Sequence, residues 1–131
     1  MIHISSHIGK DLYKVDIKSP SGNTVIADEP VTAGGQNLGF SPKELLISAL
    51  AACTSATLRM YADRKGWDLQ TVELEIDLER DDTANLTTII RKLTLTGSLD
   101  ETQRARLLSV ANSCPVHKIL SNPIGIQTEL V

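Results

Sequence analysis

Aromatic side chains are nearly absent from this chain, with one Trp, one Phe and two Tyr in 131 residues. A core built without them has to come from Leu, Ile, Val and Ala, and so from one long element that supplies many of them. A large excess of charge of either sign is missing too. The formal net charge is −3 and the isoelectric point near 5.5, with no basic block to set against phosphates or anionic lipid. Nucleic acid and membrane surfaces are therefore not the expected partners. The opening MIHISSHIGK has no basic start followed by an apolar stretch, so a cytoplasmic location is expected. Cysteine is scarce, at two residues. In a reducing compartment two thiols argue against a permanent staple and leave two readings, inert core thiols or redox-active ones.

The richest stretch is Ser41 to Gly66, SPKELLISALAACTSATLRMYADRKG. Ser41 is a helix N-cap, Pro42 fits the first helical position, and Glu44 can reach back to close a capping box. Gly66 is the stop. The helix between them spans roughly 36 Å. From Leu45 to Ala56 no residue carries a charge, which predicts burial on all sides for three turns. An uncharged run of about a dozen residues is too short to span a bilayer.

Around this helix the chain reads as one α+β domain covering residues 1–131. Residues 2–8, 12–18 and 24–28 read as strands of an antiparallel meander, turning at Gly9–Asp11 and Pro20–Asn23. The glycine-rich loop Glu29–Phe40 has the outline of a phosphate-binding loop, but Phe40 stands where its lysine is required. It reads instead as a flexible lead-in to the helix. Val72, Leu74, Ile76 and Leu78 alternate with Glu73, Glu75, Asp77 and Glu79, a half-buried strand whose acidic face is solvated. Leu86–Thr96 is its antiparallel neighbour. Ser98 and Glu101 suggest a second capping box, opening an amphipathic helix that ends near Asn112. Cys114–Pro115 starts a short helix, Val116–Leu120, and residues 124–131, IGIQTELV, read as a last strand.

The two thiols differ locally. Cys114 falls at the N-cap of the short helix, where free N–H groups and the helix dipole favour a thiolate, with His117 and Lys118 in the next turn. Cys53 lies mid-helix among alanines, where burial alone raises a thiol's pKa. Any activation of Cys53 must come from a residue remote in sequence. Both positions are also compatible with plain packing.

The SPKEL helix opening, the Ala–Cys pair in mid-helix and the Cys–Pro–Val about sixty residues later closely resemble the OsmC/Ohr family of osmotically inducible and organic hydroperoxide resistance proteins. The resemblance runs from about Ala33 to the end. It implies an intertwined homodimer whose two long helices pack centrally, wrapped by sheets from both chains. It also implies a thiol peroxidase. Cys53 would attack an organic hydroperoxide and become a sulfenic acid, Cys114 would resolve it as a disulfide, and a small dithiol or lipoyl-type reductant would restore both. No cofactor or metal is implied.

The chain departs from that family in one respect. Its peroxidases stabilise the first thiolate with an arginine from the N-terminal strands, positioned by a glutamate ten residues before the cysteine. Residues 1–40 contain no arginine, only Lys10, Lys14 and Lys18, and the position ten before Cys53 is Lys43. Glu44, one residue later, lies about 100° round the helix. Arg91, inside an apolar strand, is the preferred substitute. Arg59 and Arg64 suit the helix C-terminus. His3 and His7 share a strand face but lack a third metal ligand. The competing reading is a non-enzymatic dimer of the same fold that binds a hydrophobic ligand or senses oxidant.

Overall fold

The computed structural model describes residues 1–131, which fall into two compact units, Met1–Leu46 and Ile47–Val131. In the first unit, strands β1 (Ser5–His7), β2 (Val15–Lys18) and β3 (Thr24–Ala27) form an antiparallel sheet in that order. Ile17 sits opposite both Ser6 and Val25. The first two strands are shorter than their apolar patterns suggest, because hydrogen bonding is diverted. The Tyr13 N–H donates to Asp28 Oδ1 at 3.0 Å, and Lys14 N–H closes a turn onto the Asp11 carbonyl.

Asp28 also corrects the expectation of a loose lead-in. Its buried carboxylate accepts from the N–H groups of Tyr13, Glu29, Gln36 and Leu38, so residues 29–40 are wound around one side chain. Burial pushes the Asp28 carboxyl up, but the four N–H donors outweigh it and hold it below its ordinary value. Gly35 and Gly39 are needed for close approach. A Cβ on either would lie about 2 Å from a backbone carbonyl oxygen, of Glu29 and of Ile26 respectively.

Helix α1 (Pro42–Lys65) begins with the expected capping box. The Ser41 N–H donates to Glu44 Oε1 at 2.9 Å, and the Glu44 N–H donates to Ser41 Oγ at 3.3 Å. By length and composition alone α1 is apolar enough to cross a membrane, with a mean hydropathy of 1.4 over its best window. What it does in the second unit is bury one stripe, Leu50, Thr54, Leu58 and Ala62, at the four-residue spacing of a single helix face. The prediction of burial on every side is thereby corrected for a single chain. Ala52, Ala56 and Met60 are exposed, and Met60 keeps 65% of its surface.

Strands β4 (Thr71–Asp81) and β5 (Leu86–Thr96) form one antiparallel hairpin, paired from Thr71↔Thr96 to Asp81↔Leu86. Its inner face carries Val72, Leu74, Ile76 and Leu78 against Ile89, Arg91, Leu93 and Leu95, and the acidic residues of β4 face outward as their alternation requires. The core joins Leu58, Ala62 and Leu69 to Leu107, Val110 and Ala111, with Trp67, Leu93 and Leu99 packed on it.

Helix α2 (Glu101–Ala111) is capped by Asp100 instead of Ser98. Asp100 accepts from the Gln103 N–H, and the Gln103 side chain returns to the Asp100 N–H. The Ser98 N–H is held by Asp68 at 2.9 Å. Helix α3 (Pro115–Leu120) starts at Cys114 as expected. The last strand does not form. Residues 124–131 are exposed and pair with neither sheet of the chain.

Candidate functional site: a buried thiol, an accessible thiol and an inward arginine

Cys114 is fully buried and serves as the N-cap of α3. Pro115 has no N–H to compete for it, and the His117 N–H donates to its Sγ at 3.4 Å. Thr54, on the buried stripe of α1, brings its hydroxyl to 3.9 Å from the same sulfur. That hydroxyl also reaches the Leu50 carbonyl at 2.7 Å. It has one proton for two acceptors, and an ionised sulfur competes for it more strongly than a neutral one.

Cys53 precedes Thr54 and is half-buried, and both cysteines are free thiols. Cys53 is one of the groups acting on the Cys114 thiol. Burial pushes the Cys114 thiol up, but donation from the His117 N–H, then Cys53, Thr54 and the Val116 N–H, brings it below its ordinary value. The fold thus brings together two thiols that lie far apart in the chain.

Arg91 points inward from β5, as its place between Ile89 and Leu93 on the inner face dictates. It touches neither sulfur. Its Nη1 donates to Thr54 Oγ1 at 2.9 Å, and its Nη2 to Asn112 Oδ1 at 3.0 Å and to His117 Nδ1 at 3.3 Å. A guanidinium has no acceptor, so Nδ1 is the bare nitrogen of His117 and Nε2 carries the N–H. Arg91 therefore acts on Cys114 through one hydroxyl, and fixes the Asn112 and His117 side chains that flank it. Beside this group lies a cavity of about 400 Å³, walled by Leu50, Ile89 and Leu120 and bordered by Arg91, Asn112 and His117.

The other residues singled out in the sequence lie elsewhere. Arg59 donates to the carbonyls of Leu69 and Gln70 and pairs with Asp63, while Arg64 stands over the Tyr61 ring. Glu44 is occupied by its capping box. No three His, Cys, Asp or Glu side chains, His3 and His7 included, gather closely enough to hold a metal ion. Thr54 and Asn112 were missed in the sequence. The available signals were a hydroxyl adjoining Cys53 in a buried stripe, and an amide at the end of α2.

The hydrogen bonds to Cys114 imply a measurable shift. In a Thr54→Val variant one stabilising donor is gone, so the thiolate absorbance of Cys114, followed in a Cys53→Ser background, should titrate at higher pH than with Thr54 in place. An unchanged midpoint would show that the hydroxyl contributes nothing.

The OsmC-like protein family model matches residues 34–129. No curated protein matches the chain. Solved structures share its fold. An OsmC-like protein from Mycoplasma pneumoniae superposes with a TM-score of 0.79 at 22% identity, covering 92% of this chain and 87% of the other. The organic hydroperoxide resistance protein OhrB of Bacillus subtilis gives 0.62 at 22% identity, covering 91% and 89%. The organic hydroperoxide resistance protein OsmC of Legionella pneumophila gives 0.67 at 18%, covering 92% and 88%. With a family match over most of its length, an α+β fold of antiparallel sheets and a long helix, and neighbours of the same architecture, this chain belongs to the OsmC-like family.

Proposed function

We propose that this protein is a cysteine-based thiol peroxidase that reduces organic hydroperoxides, with Cys53 as the attacking thiol and Cys114 as the resolving one. The observation that carries this reading is the pairing of an accessible thiol with a buried thiol whose pKa is lowered. The hydrogen bonds to Cys114 favour its thiolate, but its sulfur is fully enclosed. Cys53 is the one a bulky peroxide can reach.

In the first step the Cys53 sulfur attacks the terminal oxygen of the hydroperoxide, and its proton passes to the Cys114 thiolate. The O–O bond breaks, Cys53 becomes a sulfenic acid, and the alkoxide takes a proton from solvent and leaves as the alcohol. Cys114 then loses its proton again and attacks the Cys53 sulfur, expelling hydroxide that is protonated to water. The sum is two thiols and one hydroperoxide giving a disulfide, an alcohol and water. A small dithiol or lipoyl-type reductant restores the thiols by exchange. In this scheme the Cys114–Thr54–Arg91 chain takes the place of the arginine and glutamate missing from the N-terminal part.

The working form is a cytoplasmic homodimer in which the single domain of residues 1–131 is intertwined with its copy. Two features support the dimer. The uncharged side of α1 is exposed in the single chain, and Ile124, Ile126 and Leu130 stand in solvent without a strand partner.

One observation favours the competing reading of a ligand-binding or oxidant-sensing dimer: no arginine touches either sulfur directly. Turnover separates the two. With excess dithiol, the protein should consume cumene hydroperoxide catalytically, one dithiol oxidised per hydroperoxide, and faster than it consumes hydrogen peroxide. Consumption that stops after one equivalent, or never starts, would leave the sensing or binding dimer.

A further inference from the structure

We propose that the cavity beside the thiol pair is a subsite for a carboxylate, and that it seats the head group of an aliphatic monocarboxylic acid on Arg91. The charge of Arg91 is the starting point. It is half-buried, yet it belongs to neither of the chain's salt bridges, which are Arg59–Asp63 and Arg80–Asp82. Its partners Thr54, Asn112 and His117 are a hydroxyl, an amide oxygen and a bare ring nitrogen, none of them a carboxylate. The hairpin's own acidic residues, Glu73, Glu75, Asp77 and Glu79, lie on the opposite face of β4 and are exposed. A half-buried guanidinium whose partners are all neutral keeps its positive charge free to attract an anion.

The shape and chemistry of the cavity indicate which anion. Three hydrogen bonds fix the guanidinium plane and occupy both Nη2 N–H groups, leaving its positive charge and the remaining Nη1 and Nε N–H groups to a carboxylate oxygen. The volume, about 400 Å³, is that of a small-molecule site. Leu50, Ile89 and Leu120 give one side of it apolar groups for a short hydrocarbon chain, while Asn112 and His117, with Thr87 and Ser121, make the rest of the lining polar. An alkanoate satisfies both halves. An uncharged alkane derivative satisfies only the wall.

Within the peroxidase reading, the carboxylate has two sources. It belongs either to a hydroperoxide that also carries an acid group, or to an acid-bearing dithiol that reduces the disulfide. This assignment of source rests on that reading; the anion subsite does not.

Isothermal titration of the reduced protein with octanoate and with octanamide, which differ in charge but little in size, tests the subsite without any redox chemistry. Octanoate should bind at least about tenfold more tightly than octanamide. Arg91→Gln should erase that preference, and Arg91→Lys should keep part of it. Equal affinities in the wild type, binding of neither, or a preference that survives Arg91→Gln would overturn the proposal, and the wild-type comparison holds whether or not the variants fold. The source then follows from the two half-reactions. A charge preference in the oxidation step, measured with acid-bearing and neutral hydroperoxides, assigns the subsite to the peroxide. A preference for dihydrolipoate over dihydrolipoamide in the reduction step assigns it to the reductant. Octanoate bound in this way by a protein without turnover would uphold the subsite and sink only the peroxidase reading.

Discussion

Replacing Cys53 with serine is expected to cut hydroperoxide turnover by about a thousandfold or more, since a hydroxyl in that place is not ionised and has no base strong enough to make it a nucleophile. Cys114→Ser should behave differently. It keeps the attacking sulfur, so it should consume one equivalent of hydroperoxide and stop at a sulfenic acid, which a dimedone adduct on Cys53 would reveal. The first step should also slow, because the group that takes the Cys53 proton is gone. The asymmetry decides the roles. A sulfenic acid formed on Cys114 in Cys53→Ser would mean that the lower-pKa sulfur is the attacker despite its burial, and the assignment of Cys53 and Cys114 would be reversed. Equal loss of the first equivalent in both variants would mean that neither thiol reacts without the other.

The largest expected effect on stability is that of Leu58→Ala. Leu58 is fully buried on α1 and meets Leu107, Val110 and Ala111 of α2 in the core. Removing its three outer carbons should cost about 2–5 kcal/mol, the range for large-to-small changes in a core that cannot collapse into the space. Such a loss is a large part of the stability of an ordinary domain. Urea denaturation should show a lowered midpoint with an unchanged slope. The site should feel it as well, because Ala111 leads directly to Asn112 and Cys114 at the end of α2. A midpoint within error of the wild type would mean that the core is not centred on this leucine.

Much of the fold was legible because its signals are local. Ser41, Pro42 and Glu44 specify the start of α1 within four residues, and the alternation from Val72 to Glu79 fixes which side of β4 is wet. Arg91 was singled out by its place inside an apolar strand, and its inward direction comes from the pairing of β5 with β4. Cys114 as a capping thiol followed from the Cys–Pro pair alone.

What was not legible depends on residues distant in sequence. Asp28 looks like the end of a strand, and only its four backbone donors, from Tyr13 to Leu38, make it the pin of the loop that follows. Asp100, not Ser98, caps α2, and the Ser98 N–H is bound by Asp68, thirty residues away. The alternating apolar residues of 124–131 satisfy the pattern of a strand, but they pair with neither sheet of the chain. At the site, Thr54 was overlooked because its part is defined by two side chains, Arg91 and Cys114, that reach it from other elements. Pattern reading finds the ionisable groups of a site more easily than the neutral hydroxyl that links them.

The central claim is that Cys53 and Cys114 form one redox pair. Peptide mapping of the wild-type protein, under non-reducing conditions after one equivalent of cumene hydroperoxide, tests it most directly. The account predicts a single disulfide joining the peptides of Cys53 and Cys114 within one chain, reversed by dithiol. Two free thiols, or bridges that join like cysteines between chains, would contradict it.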